Sequence, residues 1–327
     1  MTEELKQVTV VRQALQDLRQ QLQAGTIYQS LGSRVAHVLA AAPHNDATPV
    51  TLPDDEDGIR ALVATLNREL QSGTLDSVTD EQLLMLLGHL GSTDLTVRDQ
   101  GVYYFLNDAV QQHVLTADQM RLVMNALLQD KVLFDHITEP TNDGIYGRSF
   151  AMMVLSLFVY VDRVGTAFMT PEMMDRLVDQ VLTYIALEDD TRGFVGTTGW
   201  AHAYTHIGNM LDELAESQLL SRADKLLMMV VLLRKYRRLG TPLIAGENRR
   251  LAAYFATLLN MNDLYTQAFL QEWHQWRAVL SNQPQPNEEA GWNKLFNRSR
   301  LATAMLLRDD YPEAITAALE VERDFMS

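Results

Sequence analysis

Capped helices recur about every fifty residues along the chain, and this spacing restricts the possible folds more than any other feature of the sequence. Apolar residues return at steps of three and four in nearly every segment, which is the period of an amphipathic helix. Hydroxyl residues that can cap a first helical turn stand at Thr79, Thr116, Thr170 and Ser221. The last three of these caps are 54 and 51 residues apart. The sequence therefore predicts an all-α protein made of repeated helix pairs.

Each repeat is predicted to contain a first helix, a short turn and a capped second helix. The predicted pairs are 97–111 with 116–129, 146–162 with 170–187, 199–217 with 221–238, and 247–259 with 262–280. Such pairs cannot bury their apolar faces alone, so we expect them to stack into a right-handed α/α superhelix of the HEAT or armadillo type. A closed α/α toroid of helix hairpins is the alternative, and a non-repetitive helical domain is also compatible with the spacing.

The breaks between the helices are too short to be flexible domain linkers. We expect one domain over 1–327, with N-terminal hairpins in 1–78, core repeats in 79–281 and a C-terminal cap in 282–327. Residues 150–161 are the most apolar run and number twelve, whereas a helix needs about 20 apolar residues to cross a bilayer. We therefore expect 146–161 to form a central, buried helix. No export signal is visible, which predicts a cytoplasmic protein.

The composition excludes several kinds of site and partner. The chain contains no cysteine, which rules out disulfides, thiolate nucleophiles, iron–sulfur clusters and cysteine-bound zinc. Its 42 acidic and 27 basic residues give a formal charge of -15, which repels phosphate backbones and anionic lipids. We therefore expect a protein or a small polar ligand as the partner, and neither a nucleic acid nor a membrane.

The densest group of polar and aromatic side chains lies between residues 188 and 214. It contains an acidic-x-Arg-Gly motif at 190–193, Gly-Trp-Ala-His-Ala at 199–203, a second histidine at 206 and Leu-Asp-Glu-Leu at 211–214. Together with Arg-Ser-Phe at 148–150 and the element at 247–252, this order resembles a bacterial family known as domain of unknown function 2785. The resemblance covers roughly residues 80–276. It implies a helical-repeat fold and no particular reaction.

If residues 199–217 form one helix, its side chains separate into distinct faces. The core-facing stripe is predicted to contain Trp200, Tyr204, Ile207, Leu211 and Leu214. The opposite, polar face contains His202, His206, Asn209 and Glu213. A stripe of small residues that includes Gly208 lies between the two faces, where another helix or a ligand can approach closely.

This polar face leads to a first functional hypothesis, in which the protein is a non-enzymatic helical repeat. It would bind a polar ligand or a partner protein along a concave groove. The candidate binding residues are Arg192, Trp200, His202, His206, Asn209 and Arg250. His202, His206, Arg192 and one acidic residue of 188–190 are expected to line a single pocket. A structural interpretation also stays open, in which both histidines bond to neighbouring loops and cap carbonyls.

The second hypothesis is a metal-assisted hydrolase. Two histidines four residues apart on a helix, His202 and His206, can converge on one divalent ion. The third ligand would come from Asp189, Asp190 or Glu247. A divalent metal is the only cofactor that this hypothesis needs.

A reversal of charge marks residues 222–250. This segment holds eight basic and two acidic residues, a local balance of +6 in a chain of -15. Arg234 to Arg238 either complement the negative end of their helix or contribute to an anion pocket with Arg249 and Arg250. Trp273, Trp276 and Trp292 follow towards the C-terminus. They either close the last hairpin or expose an aromatic patch.

Overall fold

The computed structural model describes residues 2–165 and 167–321, and this part of the chain is 67% helical. The first helices are α1 (Glu3–Gln23), α2 (Leu31–Ala40), α3 (Ile59–Ser72), α4 (Asp80–Gly88), α5 (Leu95–Val97), α6 (Tyr104–Gln111), α7 (Ala117–Leu127) and α8 (Asp130–Leu133). The later helices are α9 (Gly144–Val164), α10 (Pro171–Leu187), α11 (Ala203–Glu216), α12 (Arg222–Tyr236), α13 (Glu247–Leu259), α14 (Asp263–Ser281), α15 (Glu289–Leu306) and α16 (Glu313–Glu320). The strands of the described residues are β1 (Phe194–Val195) and β2 (Gly199–Trp200), which form one hairpin. The all-α prediction is confirmed.

The predicted caps start the helices that they were expected to start. Thr79, Thr116 and Ser221 each form a capping box. In each box the hydroxyl accepts from the backbone N–H of the third helical residue, and the side chain of that residue accepts from the N–H of the capping residue. Thr170 accepts from the N–H of Met173, and Pro171 occupies the first turn of α10. Local hydrogen bonding at these four positions is therefore sufficient to define where α4, α7, α10 and α12 begin.

Two of the predicted first helices differ from the structure. Residues 97–111 are helical but include a π-helical turn, Arg98–Tyr103, between α5 and α6. Residues 199–217 were predicted to be one helix, and this is wrong at the start, because α11 begins at Ala203 and residues 194–200 form the β1–β2 hairpin. The reason is the backbone at Gly196 and Gly199, which have positive φ angles of 42° and 79° and turn the chain back on itself.

The helices stack in two layers in the C-terminal part of the chain. α9 packs against α11, α11 against α13 and α13 against α15, while α10, α12 and α14 pack in the same order in the second layer. The N-terminal helices add to this arrangement, because α1 packs on α10 and α12, and α2 packs on α12. The start of the chain therefore meets its C-terminal half at α12.

α9 is the central apolar helix. It is long and apolar enough to cross a membrane by composition, but 72% of its most apolar window is buried inside the protein. Its neighbours are α6, α7, α8 and α11. This burial is typical of the core helix of a soluble protein, and it places α9 where the sequence predicted a central helix.

Gly32 lies where α2 packs tightly against the second layer. A Cβ at this position would overlap the carboxylate of Glu272 and the guanidinium of Arg234, which form a buried ion pair. We expect Gly32→Ala to lower the free energy of unfolding by about 1 to 3 kcal/mol, as overpacking does in other cores. Urea unfolding followed by circular dichroism measures this change.

Gly88→Ala is the matched control for this substitution. Gly88 ends α4, and a Cβ there would meet no atom within 4 Å. Alanine is the better helix former, so this variant should be neutral or more stable by up to about 1 kcal/mol. Equal effects at Gly32 and Gly88 would show that α2 does not press on the Arg234–Glu272 pair.

Candidate functional site

The loop that follows α10 carries three acidic residues, and each has a different cationic partner. Glu188 is fully buried and accepts from Nε of Arg148 at 3.1 Å. Asp189 is half exposed and lies 2.9 Å from Nζ of Lys235. Asp190 is buried and lies 2.8 Å from Nη2 of Arg192. The three carboxylates therefore tie the loop to α9, to α12 and to itself.

Arg148 is the most enclosed of these cations. Burial opposes its charge, but the carboxylate of Glu188, together with the nearby Tyr184 and Asp190, raises the pKa of Arg148 above its ordinary value. Its Nη1 atom also donates to the backbone carbonyl of Asp135 at 2.6 Å and to Oδ1 of Asn142 at 3.1 Å. Arg192 donates to the backbone carbonyl of Asn142 as well. These two arginines therefore fasten the 135–142 segment to the loop after α10.

The hairpin of β1 and β2 changes the expected position of Trp200. Phe194 pairs with Trp200 in the hairpin, and the Trp200 side chain is 38% exposed. It was predicted to face the core as part of α11, and that placement is wrong. Trp200 stacks on the ring of His202, with centroids 4.0 Å apart, and Phe194 meets it edge-on at 5.0 Å. The result is an aromatic stack at the surface.

His202 joins the hairpin to α11. It has a left-handed backbone, with φ of 53°, and precedes the first residue of the helix. Its N–H donates to the backbone carbonyl of Arg192 at 3.0 Å, which closes the hairpin. Its Nε2 atom lies 3.3 Å from the carbonyl of Ala245, and burial lowers the pKa of this ring. His202 is therefore held by loop backbone on both sides.

His206 is buried between α11 and α9. Its Nδ1 atom lies 2.8 Å from the backbone carbonyl of Ser149, and its ring meets Phe150 edge-on at 5.3 Å. Burial lowers its pKa to about 3, and the nearby His202 and Arg98 act in the same direction. The rings of His202 and His206 are 6.1 Å apart. His206 is thus a neutral ring that helps to pack two core helices.

The neutral state of His206 predicts a pH dependence of stability. In the unfolded chain its pKa is about 6.5 and in the folded chain about 3, so the unfolded state binds more protons between these values. This contribution to stability is present above pH 6.5 and is lost as the pH falls towards 3. We expect His206 to lower the free energy of unfolding by about 2 kcal/mol between pH 7 and pH 5.

The variant His206→Gln tests this expectation by urea unfolding at pH 7, 6 and 5. It should remove most of that pH dependence, whereas His274→Gln, a change at an exposed position on α14, should leave it intact. An unchanged pH dependence in His206→Gln would contradict the buried neutral assignment.

The remaining candidates lie along the interface between α11 and α13. Arg250 donates from Nη2 to Oδ2 of Asp212 at 2.7 Å, and a Cβ at Gly208 would meet its Cγ at 2.8 Å. The small-residue stripe therefore does admit a neighbouring helix. Glu247 is buried, accepts from the N–H of Ala245 at 2.8 Å, and has a pKa raised by burial. Asn209 is partly buried on α11.

The described residues do not assemble the predicted metal site. Within 2–165 and 167–321, no group of three or more His, Asp or Glu side chains is placed to hold a metal ion. Asp189 and Asp190 already pair with Lys235 and Arg192. Two histidines with no third ligand form at most half of a site.

Two cavities lie beside this network, and they differ in character. The smaller, about 380 Å³, is lined by Glu188, Asp189, Asp190, Arg148 and residues of the 137–142 segment. The larger, about 1140 Å³, lies between α2, the C-terminal end of α12, α14 and α15. Asp189 lines both. The described linings of these two cavities do not include His202, His206 or Arg192.

We call the larger cavity the cationic cleft because of the basic side chains in its wall. These are Arg234, Lys235, Arg237, Arg238 and Lys294. Arg234 pairs with Glu272 at 2.5 Å and Lys235 with Asp189. Arg237 and Arg238 form no ion pair within the described part of the chain. Within residues 2–165 and 167–321, the cleft thus holds positive charge that is not paired with a carboxylate.

Arg237 shows the effect of this excess charge. Its guanidinium lies over the ring of Trp276 at 5.8 Å, and its Nη1 atom is buried without a hydrogen-bond partner among the described residues. Burial, together with the nearby Arg234, lowers the pKa of Arg237 to about 10. The group is still cationic at neutral pH.

The sequence contained part of this site. The cluster Arg234–Arg238 was interpreted either as helix-end complementation or as an anion pocket with Arg249 and Arg250. Arg250 instead pairs with Asp212 on α11, away from the cleft. The opposite wall is formed by Trp292 and Phe296 of α15, which no local motif connects to Arg237. The one indication of this wall in the sequence was the alternative in which Trp292 belongs to an exposed aromatic patch.

Comparison with known proteins supports the resemblance seen in the motifs. No curated protein and no solved structure matches the chain significantly. A family model described as "Protein of unknown function (DUF2785)" matches residues 133–307, which is more than half of the 327-residue chain. This range contains both the 188–214 motifs and the walls of the cationic cleft formed by α12, α14 and α15. The chain therefore belongs to the DUF2785 family.

Proposed function

We propose that this protein binds a small anionic ligand in the cationic cleft. The observation that carries the proposal is the pair of cleft cations Arg237 and Arg238, which form no ion pair within the described part of the chain. Cations without a carboxylate partner in the wall of a cavity favour the binding of an anion there. Arg238 lines the cleft and is exposed, so its guanidinium is accessible to a ligand there.

The overall charge favours a small anion over a polyanion. The chain carries a formal charge of -15, so a long phosphate backbone would be repelled by most of the surface. A ligand that fits inside the cleft experiences mainly the local positive charge. The volume of about 1140 Å³ is large enough for a ligand much bigger than a single phosphate.

The ligand site predicted at Arg192, Trp200, His202, His206, Asn209 and Arg250 stays a prediction, and geometry supports it less well. Arg192 and Arg250 already have carboxylate partners. His206 packs against Phe150, and His202 bonds to loop backbone. The metal-assisted hydrolase also stays a prediction, without a third ligand among the described residues.

We also propose that the repeated pairs form a right-handed superhelix of the HEAT or armadillo type. The stacking of α9, α11 and α13 in one layer and of α10, α12 and α14 in the other supports this arrangement. The packing of α1 and α2 on α12 brings the start of the chain against its C-terminal half, which is also what the closed-toroid alternative requires. In both arrangements the cleft lies where α2, α12 and α15 converge.

Isothermal titration calorimetry with pyrophosphate tests the proposed function. We expect saturable binding to the unmodified protein, weakened at least tenfold in Arg237→Gln and in Arg238→Gln. Arg238 is exposed, so its variant should fold normally. Arg68→Gln, at an exposed position on α3, is the control for a general loss of positive charge. Absence of binding, or equal weakening in all three variants, would contradict the proposal.

A further inference from the structure

One wall of the cationic cleft is an exposed aromatic surface. Trp292 and Phe296 stand one turn apart on α15, with ring centroids 6.0 Å apart and an interplanar angle of 25°. Their side chains are 38% and 47% exposed, and both line the cleft. Two stacked rings open to a cavity offer a flat face on which a further planar ring can stack.

The same cleft is lined by neutral polar side chains. Gln283, Gln285 and Asn287 come from the segment between α14 and α15, and Ser299 lies on α15. Amide and hydroxyl groups can donate and accept hydrogen bonds without adding charge. They suit a hydroxylated part of a ligand better than a second anion or an apolar chain.

The cleft therefore combines cationic, aromatic and neutral polar side chains, which match three parts of one class of ligand. We infer that the anionic ligand is a nucleoside phosphate, with its base stacked on Trp292 and its phosphate near Arg237 and Arg238. This inference rests on the proposed function, because it needs the anion site. A simple aromatic carboxylate would leave most of the 1140 Å³ volume and the amide groups unused.

Binding of AMP and GMP, compared with ribose 5-phosphate, tests the inference directly. Ribose 5-phosphate carries the same anionic group and sugar but no base. By calorimetry we expect AMP or GMP to bind at least tenfold more tightly than ribose 5-phosphate, which is the gain that one stacked base commonly provides. Equal affinities would overturn the inference.

The tryptophan variants locate the base. Trp292→Ala should reduce the affinity for the nucleotide to that for ribose 5-phosphate and leave pyrophosphate binding unchanged. Trp200→Ala is the matched control, because Trp200 is also 38% exposed but lies on the β1–β2 hairpin. Phe296→Ala provides a second variant on the same wall. A nucleotide preference that persists in both Trp292→Ala and Phe296→Ala would overturn the assignment of the base to this wall.

The two proposals fail in different ways. If pyrophosphate and ribose 5-phosphate bind but nucleotides bind no more tightly, the anion site stands and the nucleoside phosphate inference is wrong. If pyrophosphate does not bind, the proposed function is wrong and the inference falls with it.

Discussion

Replacing Arg148 with Met should lower the free energy of unfolding by about 3 to 5 kcal/mol, the usual loss when one partner of a buried ion pair is removed. The guanidinium and the carboxylate of Glu188 are both almost completely enclosed. Met fills a similar space but leaves the carboxylate without its cation. The backbone carbonyl of Asp135 and the Oδ1 atom of Asn142 would also lose their donor. Urea unfolding monitored by circular dichroism gives the value.

Two further variants separate the ion pair from the volume of the side chain. Arg68→Met removes an exposed arginine on α3, so stability should hardly change. The double variant Arg148→Met with Glu188→Leu removes both charges and should recover part of the loss. A loss below about 1 kcal/mol in Arg148→Met would show that the pair does not hold the loop to α9.

Replacing Leu155 with Ala should lower the free energy of unfolding by about 2 to 5 kcal/mol. Leu155 is fully buried in the middle of α9, a helix that packs against α6, α7, α8 and α11. The cavity left by the substitution cannot collapse easily because it has helices around it. Thermal or urea unfolding measures the change.

Leu84→Ala provides the control for this core substitution. Leu84 is 46% exposed on α4, so the same change should have a much smaller effect. A loss of less than about half a kcal/mol in Leu155→Ala would mean that α9 is peripheral.

Local signals allowed much of the fold to be predicted. The hydroxyls of Thr79, Thr116, Thr170 and Ser221 bond to the N–H groups of their own helices. Such interactions depend on residues three positions apart, so they are visible in the sequence. The buried helix at 146–161 was equally clear, because its apolar surface has few interruptions.

The error at residues 199–202 arose because helical periodicity was extended through a turn. Gly199 was compatible with a helix pattern, but the positive φ angles of Gly196 and Gly199 allow a hairpin that pairs Phe194 with Trp200. Tertiary bonding then selects the hairpin, since Arg98 donates to the carbonyl of Thr198 from a hundred residues away. No local pattern contains that information.

The cationic cleft illustrates the same limit for the candidate site. Arg237 was visible as part of a basic cluster, but its position against Trp276 and the α15 wall depends on how α12, α14 and α15 pack. The N-terminal helix α2 closes the cleft from the other side. These elements are distant in the chain, so sequence periodicity alone could not assemble them.

The most direct test of anion binding in the cleft uses the indole N–H signals of the four tryptophans. Pyrophosphate is titrated into ¹⁵N-labelled protein, with each signal assigned from a Trp→Phe variant. Arg237 lies over the ring of Trp276 in the cleft, whereas Trp200 lies on the β1–β2 hairpin. The account predicts a saturable shift of the Trp276 signal and a constant Trp200 signal. No saturable shift at Trp276, or a shift confined to Trp200, would contradict it.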